Sequence, residues 1–202
     1  MPDRLAVQHA FLSRHDGYDA VFCNGERMGG NGPETRIVPR RLAARVAGRP
    51  LHAGDLFDGF PVFFQAALVA RRAFEASGSF DTTLHIYPDL EYGYRLLAGT
   101  RAAFLDRVVF RYRSHAGNVT RDRLGGREEL ARILEGLTAR AQTVAQIGAR
   151  RLRARLARHC YGIARQQLRR GDADRARAAL LRAASLRPFH PAYQLLRLWH
   201  AR

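Results

Sequence analysis

Lysine is missing from these 202 residues; every one of the 34 basic side chains is arginine. So uniform a choice points to a GC-rich coding sequence rather than to selection for phosphate contacts. Cysteine is scarce. Cys23 and Cys160 stand far apart, with no partners at metal-ligand spacing. That excludes a disulfide framework and a thiolate zinc site, and fits reduced thiols in a cytosolic protein. No apolar run reaches the roughly 18 residues that a membrane span needs. The first residues, MPDRLAVQHAF, have no apolar stretch of the kind a secretory signal carries. Glycine-rich nucleotide fingerprints, a phosphate loop with lysine and a Gly-x-Ser-x-Gly elbow are also absent. What is present is 47% hydrophobic residues, enough to bury a real core.

The net charge of +16 is unevenly placed. In residues 1–120, 15 arginines stand against 12 acids, a net of +3. In residues 121–202, 19 arginines stand against 6 acids, a net of +13. The excess therefore belongs to the C-terminal part. It suits peripheral contact with an anionic membrane surface or a protein through residues 126–202, in preference to nucleic acid.

Local patterns divide the chain. Residues 3–15 read as a short helix with Pro2 at its start, and Leu5, Gln8 or His9, Leu12 and Arg14 at helical spacing. Residues 18–25 read as a strand that Asn24-Gly25 should end. Residues 26–52, rich in glycine and proline, read as an exposed loop. The apolar run from Val62 to Val69 reads as a buried central strand, followed by a helix from Arg71-Arg72 that stops at Gly78. Residues 88–98 read as a helix and 101–115 as two strand-like pieces. In the second of these, Val108, Phe110 and Tyr112 alternate with Arg111 and Arg113. Beyond residue 124 the texture becomes Ala-, Leu- and Arg-rich, and predicts helices. Two of them turn back around Gly171, with Ala176, Leu180 and Ala184 at a spacing like that of a tetratricopeptide pair. One pair cannot build a solenoid, so a helical cap or docking surface is expected. Asp172-Ala173-Asp174 opens the last of these helices and reads as capping.

The stretch HIYPDLEYGYRLLAG, residues 85–99, carries the candidate chemistry. Pro88 suits a first helical position, which puts Asp89 in the first turn, where the helix dipole favours an acid without any catalysis. Glu91 and Arg95 are spaced to pair on the helix surface, with Leu90, Tyr94 and Leu97 as the core stripe. Alone, the segment has sufficient structural reasons.

Its neighbours add a second reading. Arg72, Phe74, Gly78, Phe80-Asp81, Asp89, Glu91, Arg95-Leu96, Tyr112-Arg113, His115, Asn118 and Thr120 occur in one order and spacing. That ordered set resembles the second half of the catalytic domain of family 2 glycosyltransferases of the GT-A type, over residues 1 to about 125. The resemblance implies an α/β fold: a partial GT-A, Rossmann-like domain over residues 1–124, with an α-helical extension over 125–202. It implies inverting transfer of a sugar from a nucleotide-sugar donor to a hydroxyl of a glycan or glycolipid acceptor; the cysteine usage and the basic tail point to the cytoplasm, peripheral to the inner face of the membrane. Asp89 matches the general base. Glu91 and Arg95 match its supporting groups, although Pro88 stands where the family has a preceding acid. His115 and Arg113 match positions that meet the donor diphosphate, and His115 matches a ligand of the divalent metal, Mn or Mg, of the intact enzyme. His115 equally reads as a polar loop residue, and Arg113 as the solvent face of an edge strand. Pro2, Leu5 and Gln8 resemble the segment just after the family's Asp-x-Asp metal motif. That motif and the nucleotide-binding part are therefore expected upstream of residue 1, with little donor binding by these residues alone. The competing expectation is a non-enzymatic module that docks a protein, an anionic membrane or RNA through its basic helices. Residues 149–159, ARRLRARLARH, are its best support.

Overall fold

The computed structural model describes residues 1–28, 35–113, 122–191 and 193. The chain forms two compact units, one of residues 1–83 with 88–118 and one of residues 84–87 with 119–202. The first is mixed α/β around a four-stranded mixed sheet. In chain order it runs α1 (Arg4–Arg14), β1 (Ala20–Met28), β2 (Thr35–Arg36), α2 (Arg40–Ala44), α3 (Ala53–Phe57), β3 (Ala67–Val69), α4 (Arg71–Ser77), α5 (Pro88–Gly99) and β4 (Ala102–Arg113). The other three strands all pair with β1: β2 and β3 antiparallel, and β4 parallel along its length. The core gathers there, with Ala20, Val21 and Phe22 of β1 fully buried.

β1 does not end at Asn24-Gly25, as the dipeptide suggests, but runs on to Met28. Both residues are used for close packing instead of a turn. The Asn24 side chain is fully buried and satisfied on every side. Its Nδ2 donates to Val38 O at 2.8 Å and to Asp106 Oδ1 at 2.7 Å. Its Oδ1 accepts the N–H groups of Gly25 and Val38, both at 2.9 Å. A register irregularity in the β1–β4 ladder falls at this point, where a bulge lets the side chain turn inward. Gly25 pairs with Phe110, and a β-carbon on it would sit 2.3 Å from the Phe110 ring. Glycine stands here so that a ring can lie on the backbone.

Three further expectations are corrected. Residues 35–52 are not an exposed loop: Val38, Ala43, Val46 and Leu51 are buried anchors, and Leu51 bridges to Ala102. Residues 29–34 lie outside the described set. The apolar run 62–69 is not a central strand; it holds a 3₁₀ turn, Phe64–Ala66, and only three half-buried strand residues. Residues 101–115 do not split into two pieces, since β4 is continuous to Arg113. In α1 the anchor is polar. Gln8 is fully buried while Leu5 is 63% exposed. Gln8 donates to Ala66 O at 2.9 Å and accepts from Arg4 Nε at 3.2 Å.

The second unit holds α6 (Arg123–Thr138), α7 (Ala141–Ile147), α8 (Ala149–Arg169) and α9 (Ala173–Leu186). The hairpin of α8 and α9 turns at Gly171, whose φ of 80° is left-handed. Asp172 caps α9 by accepting from Arg175 N at 3.0 Å, as its position predicts. The hairpin is not alone, because α6 also packs on α8. Leu152, Leu156, Ala157, Cys160 and Ala164 form the buried stripe of α8. Both cysteines are buried free thiols, and burial pushes Cys23 up to about 11, so it stays an unreactive thiol.

Residues 84–87 belong to this helical unit through Glu129 of α6. Its buried carboxylate accepts the successive N–H groups of His85 at 2.6 Å, Ile86 at 2.9 Å and Tyr87 at 3.0 Å. Burial pushes its carboxyl up, but these three donors and Arg132 outweigh burial and hold it below its ordinary 4.5.

Two outcomes follow from these contacts. Gly25→Ala costs about 1–3 kcal/mol in urea unfolding, and far less in a Phe110→Ala background. Equal cost in both backgrounds contradicts the packing account. Glu129→Gln costs about 1.5–3 kcal/mol at pH 7, because the amide offers its own donor to backbone donors. A depressed carboxyl stabilises the fold above the unfolded value of 4.5, and that gain is lost as pH falls through the folded value. The gap between Glu129→Gln and the parent therefore closes in thermal unfolding below that range.

Candidate functional site

The candidate site is built on the first turns of α5. Pro88 begins the helix and Asp89 and Glu91 lie in its first turn. The helix is buried on more than the expected stripe: Tyr94 and Leu97 are buried, but so are Tyr92 and Leu96, while Leu90 is only half-buried. Phe80 stacks on Tyr92 with ring centroids 4.4 Å apart, and Phe64 meets Tyr92 edge-on at 5.1 Å. Phe74 and Phe80 remain 45% and 40% exposed.

The Glu91–Arg95 pair forms, but it is not a surface pair. The two side chains are only 11% and 12% exposed. Arg95 Nε donates to both Glu91 oxygens at 2.9 Å, and Nη2 donates to Oε2 at 2.8 Å. The same guanidinium reaches out of the helix. Nη1 donates to Ser77 O, and Nη2 donates to Ser79 O at 2.7 Å. Those carbonyls flank Gly78, which ends α4 with a left-handed φ of 73°. Arg95 thus fastens the turn after α4 to α5, and brings residues 77–79 against the Glu91–Arg95 pair. Sequence spacing identifies the pair but not its carbonyl partners.

Asp89 is different in kind. Its Oδ1 accepts from Leu90 N at 2.8 Å. No cation pairs with it among the described residues. Burial raises its carboxyl above the ordinary 3.8, and the backbone N–H groups of Leu90 and Asp89 itself offset that only in part. A carboxylate whose burial raises its pKa, held at a fixed helix start, is a better proton acceptor than a fully solvated one. A helix-start acid serving only as a cap has no need of desolvation.

Arg113 is exposed at the end of β4, in register with Met28. No hydrogen bond or ion pair among the described residues joins it to Asp89. His115, Asn118 and Thr120 lie outside the described residues. Arg72 holds Asp19, with Nε to Oδ1 at 2.9 Å, a role inside the fold. Asp81 accepts from Thr83 N at 2.9 Å and organises its own turn. Among the described residues no three His, Cys, Asp or Glu side chains gather as metal ligands. No described helix is long and apolar enough to cross a membrane.

No protein-family model, curated protein or solved structure matches this chain.

Removing Arg95 strands a buried carboxylate and two carbonyls. Arg95→Ala costs about 3–5 kcal/mol in urea unfolding. Arg95→Lys recovers less than about half of this, because an ammonium cannot span a carboxylate and two carbonyls at once. A loss below about 1 kcal/mol would place the pair among ordinary surface ion pairs.

Proposed function

We propose that the first unit is part of the catalytic domain of a family 2-like glycosyltransferase of GT-A, Rossmann-like type. It transfers a sugar from a nucleotide-sugar donor to a hydroxyl of a glycan or glycolipid, with inversion. The observation that carries this reading is the Asp89 carboxylate at the start of α5, which burial raises above its ordinary value and which no cation among the described residues pairs with. The ordered motif around it and the fastening of residues 77–79 to Arg95 support it.

In this mechanism Asp89 accepts the proton of the acceptor hydroxyl as that oxygen attacks the anomeric carbon. The bond from that carbon to the diphosphate breaks, and the nucleoside diphosphate departs with the bonding electrons. Attack and departure on opposite faces invert the anomeric centre. Raised basicity suits Asp89 to the proton, since a carboxyl near its ordinary value is a weaker acceptor. Glu91 does not share that work, because both its oxygens are committed to Arg95. Arg95 positions Asp89 through the helix. Arg113 and His115 are the groups proposed to meet the donor diphosphate. The residues in view give no ligand set for a metal, and no step here passes through one. The proposed setting is the cytoplasmic face of a membrane.

Asp89→Asn tests the role by two readouts. In the intact enzyme, with nucleotide-sugar and acceptor supplied, release of nucleoside diphosphate falls by about 10²–10⁴-fold in kcat, with donor KM little changed. Retained turnover removes Asp89 from the role. The second readout is stability. Because the folded carboxyl lies above its unfolded 3.8, stability is fully present below 3.8 and declines as pH rises through the folded value. Asp89→Asn removes that penalty, so the variant unfolds at a higher temperature than the parent at pH 7, and the advantage disappears in acid.

A further inference from the structure

An open recess of about 530 Å³ lies within the helical unit, between the first turn of α8 and the chain leaving α9. Its volume falls in the range of small-molecule sites, about 300–1,000 Å³. Arg150, Arg153, Leu186, Arg187, Phe189 and His190 line it, and none of its lining residues is acidic. No ion pair holds Arg150, Arg153 or Arg187 among the described residues. The stretch of chain around α8 carries no acid: residues 136–171 contain nine arginines and no Asp or Glu. Two of the three cations sit in the first turns of α8, where the helix dipole already favours negative charge. Phe189 is 97% exposed beside them, and the Nδ1 of His190 has no hydrogen-bond partner among the described residues.

Uncompensated guanidiniums around a concave surface, with a fully exposed aromatic ring, match a ligand that is anionic at one end and apolar at the other. Arginine forks suit phosphate oxygens in particular, because two parallel donors meet two acceptors. We propose that this recess binds a phosphate group carried on an apolar or aromatic body. A nucleotide and a phospholipid headgroup share that chemistry. The site is independent of Asp89 and of the reaction proposed for it.

The full chain is titrated calorimetrically with inorganic pyrophosphate and with adenosine diphosphate. It is also sedimented with phosphatidylcholine vesicles that contain phosphatidylglycerol. The paired change Arg150→Ala/Arg153→Ala is compared with Arg169→Ala/Arg170→Ala. The second pair removes the same charge from exposed positions about 24 Å further along α8. All four arginines are exposed, so both variants keep the fold. The expected result is binding that weakens about tenfold or more in the first variant, and less than about threefold in the second. Phe189→Ala then weakens adenosine diphosphate more than pyrophosphate, while Asp89→Asn changes neither. Binding of the soluble phosphates alone identifies a free phosphorylated molecule. Sedimentation with anionic vesicles in the same variant order identifies a lipid headgroup. Absence of binding in every arm overturns the proposal. So does an equal loss in the two arginine variants, which is the signature of diffuse attraction to a polyanion such as RNA.

Discussion

One guanidinium holds the candidate site together. Arg95 spans the Glu91 carboxylate inside α5 and the Ser77 and Ser79 carbonyls outside it. Few single side chains can do this, because the contact needs several donors in a rigid plane. The left-handed Gly78 exposes those carbonyls, and the i,i+4 spacing aims Arg95 at them. The result is an α5 whose first turn cannot drift relative to the end of α4. Proton transfer depends on such fixity, since a base must meet its proton within hydrogen-bond distance. The pair is therefore scaffold, and it frees the neighbouring Asp89 from scaffold duty.

That freedom has a cost. A carboxylate taken out of water without a cation weakens the fold at neutral pH, and an asparagine in its place relieves the strain. Glu129 makes the contrast clear. It too is buried, but three backbone donors more than offset its desolvation and lower its pKa. Two acids in one chain are thus driven in opposite directions by what surrounds them. Only in Asp89 does burial prevail over the groups that offset it. Destabilising local arrangements of this kind concentrate where function needs them.

The elements legible in the sequence are those set by local chemistry. Gly78 stops α4, Pro88 opens α5, Asp172 caps α9 and Gly171 turns the helical hairpin, each through contacts within a few residues. The elements misread are those decided by distant neighbours. Asn24-Gly25 carries a turn signature, yet it lies inside β1 because Val38, Asp106 and Phe110 enclose it. Residues 26–52 look like an exposed loop from their glycines and prolines, but Val38, Val46 and Leu51 reach the core. In α1 a glutamine is buried in place of a leucine, because open backbone acceptors at Ala66 and Val21 wait for a donor. In the site, i,i+4 spacing identifies the Glu91–Arg95 pair, whereas Asp89 stands out in the sequence only through the family resemblance. Burial of the pair and its hold on residues 77–79 appear only in three dimensions, and so does the desolvation of Asp89.

The Asp89 carboxyl is raised by burial, and no cation among the described residues pairs with it. Its own titration tests this most directly. With the aspartate side-chain carboxyls labelled with ¹³C, and Asp89→Asn used to assign the resonance, the carbonyl shift of Asp89 is followed against pH in the folded protein. The account predicts a midpoint above the ordinary 3.8. A midpoint at or below 3.8 would show a solvated or paired helix-start acid, and would contradict the role proposed for it.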